Sequence, residues 1–207
     1  MFEKNFTAQN HPLKAQFDKM NRAIFLDRDG TMIEEANYLS KPEQIKIFPA
    51  TQTGLKKLSD AGFKLFIVSN QSGVGRGYFT MADVDRVNEK LLGDLHGIHF
   101  EKIYVAPEKP EDPSLGRKPS PQFLFEARDE FGLDLAQSFM IGDKLSDLES
   151  GWNAGVKASI LVRTGYGAKL ERAAPEAVSR AVIVDDLDAA AAWILGNFFL
   201  VTDQKRA

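Results

Sequence analysis

Apolar residues fall along this chain in two alternating textures. Short, nearly continuous apolar runs occupy residues 23–27, 63–69, 102–106, 138–142, 158–163 and 181–184. Between them, at 51–61, 81–95, 121–131, 147–154 and 187–195, apolar residues recur at helical spacing. The continuous runs predict strands buried on both faces, and the spaced stretches predict helices with one apolar side. Local signals agree. Leu55 and Leu58 share a helix face that Gly62 would end, Thr80 with Asp83 three positions on approaches a capping box, and Pro121 suits a first helical turn. Strands alternating with helices predict an α/β fold, a doubly wound parallel sheet with helices on both faces and right-handed crossovers. In such sheets ligands gather at the carboxyl ends of the strands. Residues 32–50 and 106–120 are too long for simple turns. The second stretch carries Pro107, Pro110, Pro113 and Pro119, so both are expected to be loops that shape specificity.

Length then sets the domain count. A chain of 207 residues accommodates one domain with a full core, expected over 23–207 behind a polar arm at 1–22. The apolar segment 193–201 is too short to span a bilayer and is expected to be a helix packed on the core. Hydrophobic residues make up 43 %, charged residues 27 %, and the formal net charge is −3, with no basic run. That balance argues against nucleic acid as a partner. The chain has no cysteine, which excludes disulfides and any zinc site built on cysteine. Residues 1–22 lack the apolar segment and cleavage pattern of a secretory signal, so a cytoplasmic protein with no membrane partner is expected. A monomer is the favoured state.

Polar residues fall where the sheet would place chemistry. Asp27 and Asp29 follow the first strand, Ser69 and Asn70 end the second, Arg117 and Lys118 close the long loop after the third, and Asp143, Lys144 and Asp147 follow the fourth. Each group has an ordinary reading as a cap, a turn or a solvated loop, but their joint placement at four strand ends favours a site. Close carboxylates repel and call for a cation or a proton. An oxygen-rich pocket from Asp27, Asp143 and the Asp29 carbonyl suits Mg²⁺. Lys118 and the Ser69 hydroxyl can meet phosphate oxygens. One aspartate can then serve as nucleophile and another as acid and base, which together describe phosphoryl transfer. The three histidines, His11, His96 and His99, lie away from these strand ends. Gly73-Val74-Gly75-Arg76-Gly77 has the wrong spacing and the wrong strand for a dinucleotide site and is expected to be a turn, with Arg76 a candidate contact for a remote phosphate.

Asp27/Asp29, Ser69, Lys118 and Asp143/Asp147, in that order, resemble the four motifs of the haloacid dehalogenase superfamily of phosphohydrolases, over about residues 23–168. The fuller strings Asp27-Arg28-Asp29-Gly30-Thr31, Ser69-Asn70-Gln71-Ser72-Gly73, Arg117-Lys118-Pro119 and Gly142-Asp143-Lys144-Leu145 resemble its histidinol-phosphatase and heptose-bisphosphate-phosphatase branch. The resemblance implies a fold without a large cap domain and a small phosphorylated metabolite as substrate. It also implies Asp27 as nucleophile, Asp29 as acid and base, and Mg²⁺ held by Asp27, the Asp29 carbonyl and Asp143. Ser69 and Lys118 would bind the transferring phosphate, and Asn70, Arg117 and Lys144 would reach the substrate beside a loop at 35–38. Asp147 would support the site. Where that branch carries a cysteine-rich zinc loop, this chain has Ala106, Glu108, Ser114 and Gly116, so no zinc is expected. Ala36 and Asn37 also depart from the His-Gly expected of heptose enzymes. Two alternatives stand beside the sugar-phosphate reading: a histidinol-phosphate phosphatase, and a phosphorylatable receiver module. The receiver needs no second acid at Asp29, and its acceptor should follow the third strand, where this chain has none.

Overall fold

A computed structural model describes residues 21–203, with side chains to residue 197. Six strands, β1 (Ala23–Leu26), β2 (Lys64–Asn70), β3 (Lys102–Ala106), β4 (Phe139–Gly142), β5 (Ala158–Val162) and β6 (Val182–Val184), form one sheet in the order β3-β2-β1-β4-β5-β6. Every neighbouring pair is parallel. The helices are α1 (Pro49–Asp60), α2 (Ser72–Gly75), α3 (Met81–Asp94), α4 (Gln122–Phe131), α5 (Leu145–Ala154), α6 (Gly167–Ala173) and α7 (Leu187–Asp203).

The period of two in a strand sorts β1 between two cores. Ile24 and Leu26 join Leu55, Leu58, Val87, Leu91 and Ile194 on the face covered by α1, α3 and α7. Ala23 and Phe25 join Phe66, Leu124, Ala127 and Ala154 on the face covered by α4 and α5. Both faces are therefore shielded, as the continuous apolar runs require. The α1 helix lies close against the start of α7, because Gly54 leaves no side chain where the Leu187 carbonyl stands; a Cβ there would come within 2.6 Å of that oxygen. The α3 helix starts on a reciprocal cap: Thr80 Oγ1 accepts from Asp83 N at 3.3 Å, and Thr80 N donates to Asp83 Oδ2 at 2.7 Å.

Several details differ from the sequence reading. The last helix runs past residue 195, and within it Ile194 is buried and Trp193 meets Phe139 edge to face. The α2 and α6 helices have no strong apolar pattern and were not expected. The arm at 1–22 lies outside the described residues except for its last two. Those two already belong to the domain: Asn21 O accepts from Asp134 N, and the Arg22 guanidinium is buried, donating to Ala61 O at 2.6 Å above the Phe63 ring. Residues 32–48 form a loop, as expected, with one short 3-10 turn at Pro42–Gln44. They fold back through the Ile33–Ile47 bridge and bury Met32, Ile33 and Leu39.

The strand order puts the site in place. The chain builds outward from β1 through β2 to β3, then crosses back to β4 on the other side of β1. The loops after β1 and β4 therefore diverge and open a crevice at the carboxyl ends of both strands. Asp27 N donates to Ile141 O at 2.9 Å and fixes the loop after β1 to β4 at that point.

Candidate active site

At this crevice Lys118 reaches back under the sheet edge. Its Nζ lies 2.6 Å from Asp27 Oδ1, 2.7 Å from Asp147 Oδ1 and 2.6 Å from the Val68 carbonyl, and its side chain is almost fully buried. The lysine is held there by its own backbone: Asn70 Nδ2 donates to Lys118 O, and Lys118 N donates to Asn70 Oδ1, both at 3.0 Å. The end of β2 thus clamps the residue that the long loop delivers. Asp147 is anchored by the start of α5, where Lys144 N donates to its Oδ2 at 2.9 Å.

Asp143 is wholly buried. Tyr166 N donates to its Oδ2 at 2.8 Å, while its Oδ1 has no hydrogen-bond partner and stands 4.0 Å from Lys144 Nζ. Burial and the nearby Asp27 charge, only partly offset by Lys144, push this carboxyl up to about 8. Burial also raises Asp147, against the pull of Lys118. Asp27 goes the other way. Burial opposes its charge, but Lys118, Lys144 and the Arg28 backbone N–H outweigh burial and hold it below the ordinary carboxylate value. Lys118 is raised because Asp147 and Asp27 more than offset its desolvation. Two of the three buried carboxylates, Asp27 and Asp147, share the buried Lys118 ammonium, and the third, Asp143, keeps an oxygen without a donor. Asp27, Asp143 and Asp147 each offer an oxygen, all within 4.8 Å of one another. Hard anionic oxygens in that number and spacing, one of them orphaned, fit a divalent cation such as Mg²⁺.

Gly30 makes this geometry accessible. Its φ of 86° belongs to the left-handed region, and any Cβ would overlap the Asp143 carboxylate. The Asp29 side chain is not part of the carboxylate cluster. The Arg28 fork holds both its oxygens, Nε to Oδ2 at 3.1 Å and Nη2 to Oδ1 at 3.2 Å, and Gln71 Nε2 donates to Oδ2 at 2.8 Å. The third carboxylate side chain is Asp147, which the sequence reading placed in a supporting role.

Above the cluster opens a cavity of about 340 Å³. Asp27, Asp29, Asn70, Arg117, Lys118, Lys144 and Asp147 line it, as do Glu35, Asn37 and Tyr38 from the loop at 35–38. Ser69 does not reach the wall. Its hydroxyl is buried behind Gln71, whose Nε2 donates to it at 2.7 Å. Lys144 Nζ pairs with Glu35 Oε2 at 3.0 Å. Arg117 is steadied by its Nη1 bond to Glu108 O at 2.9 Å and by Ser114 Oγ, which accepts from Arg117 N and donates to Glu108 Oε2. Two of the positions matched to a zinc loop are thus joined directly by a hydrogen bond. Arg76 pairs with Glu111 at 3.5 Å and is not among the lining residues. The exposed ring of His99 faces Glu101 at 3.9 Å, and the His96 carbonyl accepts from Gln52; His11 lies outside the described residues.

Arg28, Gln71 and Asn88 were missed by the sequence reading. Arg28 and Asn88 are buried and joined by a 2.7 Å bond, and Gln71 separates Ser69 from the cavity. Arg28 and Gln71 stood inside the motif strings without a role of their own, and Asn88, on α3, had no sequence signal.

Comparison with known proteins bears on this geometry. A family model described as HAD-hydrolase-like matches residues 115–190. The chain is 38 % identical over 145 residues to the D-glycero-β-D-manno-heptose-1,7-bisphosphate 7-phosphatase of Helicobacter pylori, a match covering 69 % of this chain and 84 % of that one. It is 34 % identical over 186 residues to the D-glycero-D-manno-heptose-1,7-bisphosphate 7-phosphatase of Thermosynechococcus vestitus, covering 83 % and 94 %. Among solved structures, the D,D-heptose 1,7-bisphosphate phosphatase of B. bronchiseptica, complexed with magnesium and phosphate, superposes with a TM-score of 0.77 at 30 % identity, covering 85 % of this chain and 99 % of that one.

Proposed function

The chain belongs to the haloacid dehalogenase-like phosphatases, and from that premise we propose that it hydrolyses a phosphate monoester of a sugar bisphosphate, with the 7-phosphate of a heptose 1,7-bisphosphate as the substrate. The observation that carries this reading is the buried Lys118 ammonium bridging Asp27 and Asp147 beside the orphaned oxygen of Asp143. That arrangement neutralises a nucleophilic carboxylate without blocking the cavity above it.

In the first half-reaction an Asp27 carboxylate oxygen attacks phosphorus, the bond from phosphorus to the sugar oxygen breaks, and the departing oxygen takes a proton from Asp29. In the second, Asp29 takes a proton from water, the water oxygen attacks phosphorus, and the acyl phosphate bond breaks. That returns the Asp27 carboxylate and releases inorganic phosphate. Lys118 offsets the charge on the transferring phosphoryl oxygens. Asp27 and Asp143, with the Asp29 carbonyl, would hold Mg²⁺, which supplies charge neutralisation for the phosphate. Arg117 and Lys144 are the cations on the cavity wall for the remainder of the substrate. Asn70 acts through Lys118, which it clamps, and Ser69, to which the resemblance gives the phosphate, acts through Gln71, whose amide its hydroxyl accepts from. No zinc is needed: Glu108, Ser114 and Arg117 already cross-link the loop that would carry it. The receiver-module alternative falls with the family assignment.

The test is release of inorganic phosphate with Mg²⁺ from both anomers of heptose 1,7-bisphosphate, histidinol phosphate and hexose phosphates. The expected result is a kcat/KM for one heptose anomer well above the rest. A preference for histidinol phosphate would overturn the substrate assignment, and full turnover in excess EDTA would remove the metal.

A further inference from the structure

Two residues donate to Asp29: Gln71, which lines the cavity, and Arg28, which does not. Arg28, almost fully buried and tied to Asn88, holds both carboxylate oxygens at 3.1 and 3.2 Å. Gln71 holds Oδ2 at 2.8 Å, the shorter contact. The other bond from the same Gln71 nitrogen goes to Ser69 Oγ at 2.7 Å. One neutral amide therefore spans the aspartate assigned to proton transfer and the hydroxyl assigned to phosphate.

We infer that Gln71 is a positioning residue that keeps the Asp29 carboxylate turned toward the cavity against the pull of Arg28. This inference rests on the acid and base role proposed for Asp29. The Arg28 fork alone satisfies a carboxylate in bidentate fashion. With no donor on the cavity side, Asp29 settles onto Arg28 and away from the position that water must occupy beside Asp27. The step that suffers is hydrolysis of the aspartyl phosphate, because water is a poor nucleophile without a base. Formation of the aspartyl phosphate from an aryl ester suffers less, since a phenolate leaves without a proton. Gln71 is also backed by a rigid main chain: its N–H donates to Ala106 O at 2.8 Å at the end of β3. The amide therefore starts from a fixed point.

The experiment uses the full chain with Mg²⁺ and 4-nitrophenyl phosphate, comparing the parent with Gln71→Met, which keeps length and removes both donors. Rapid mixing is expected to give a burst of nitrophenolate near one equivalent, followed by a steady rate lowered on the order of 10²-fold, the scale of a lost acid–base group. Acid-quenched protein should carry the phosphate as a base-labile ester. In the double variant Asp29→Asn/Gln71→Met the loss should match that of Asp29→Asn alone, because both changes remove one function. A lowered rate with no burst and no phosphoenzyme, or losses that multiply in the double variant, would overturn the inference. Asp29→Asn separates the two levels. If that variant turns over normally, the role of Asp29 itself fails. If it accumulates phosphoenzyme and Gln71→Met does not, only the role of Gln71 fails. An unchanged Mg²⁺-induced melting shift in Gln71→Met certifies an intact site.

Discussion

The chemistry of this site is decided by a few buried charges. Asp27 is kept ionised at almost no exposure because Lys118 touches it at 2.6 Å and Lys144 adds to the field. Asp27→Asn is nearly isosteric and still accepts from Lys118. Turnover is expected to vanish while the melting temperature stays within a few degrees of the parent; phosphate release near the parent rate would remove Asp27 as nucleophile. Asp143 gives a pH signature. Its folded value of about 8 lies above its ordinary 3.8, so between those values the folded protein holds a proton that the unfolded chain has released. Stability of the metal-free protein from this group is complete below about 4 and is lost as pH rises through about 8. Mg²⁺ held by Asp143 would take the place of that proton, so the Mg²⁺-induced rise in melting temperature should grow from pH 5 to pH 8 in the parent and stay small and flat in Asp143→Asn. A shift independent of pH would contradict the assignment. At this scale most residues named from the sequence line one cavity, but what some of them touch was not legible. Asp147, expected only to support the site, sits within the carboxylate cluster, and Ser69 is screened by Gln71. Each difference is a rotamer or a hydrogen bond, which one-dimensional spacing does not encode.

Among elements, α1 and α7 pack against each other most closely at Gly54. Gly54 lets α1 lie against the first turn of α7, with the Leu187 carbonyl where a side chain would go. Gly54→Leu should destabilise by about 1–3 kcal/mol, the usual cost of overpacking, read as a lower urea midpoint with an unchanged m-value; a neutral effect would show that the two helices part easily. The long runs in β1, β2 and β4 were legible because a strand buried on both faces needs apolar residues at every position. The α2 and α6 helices were not legible, since Ser72–Gly75 and Gly167–Ala173 contribute few core residues and owe their form to neighbours. The loop at 106–120 was recognised by its prolines, but its internal ties, Ser114 to Glu108 and Arg117 to the Glu108 carbonyl, needed coordinates.

For the whole molecule, the cavity mouth is built by segments far apart in sequence. Tyr38, from the loop after β1, meets Tyr78, from the turn before α3, edge to face at 4.8 Å, and both rings are exposed. The pair joins Tyr38, which lines the cavity, to the turn before α3, and among the described residues no cap domain covers them. Tyr78→Ala should raise KM for a sugar bisphosphate several-fold and leave 4-nitrophenyl phosphate turnover unchanged, because the small ester has no remote end to enclose. Equal effects on both substrates would show that the ring pair acts on the core of the site instead.

What the chain determined by itself was its α/β alternation, the strand ends that carry acid, amide and ammonium groups, and the order of the four motifs. These follow from local rules of periodicity and charge cost that act over a few residues. Only the tertiary structure decided that β4 returns beside β1, that Lys118 arrives under both Asp27 and Asp147, and that Gln71 stands between Ser69 and the cavity. Those outcomes depend on how six strands are ordered and how buried charges share one ammonium. Both are set by packing and electrostatics summed over the whole fold, and neither is visible in any single segment.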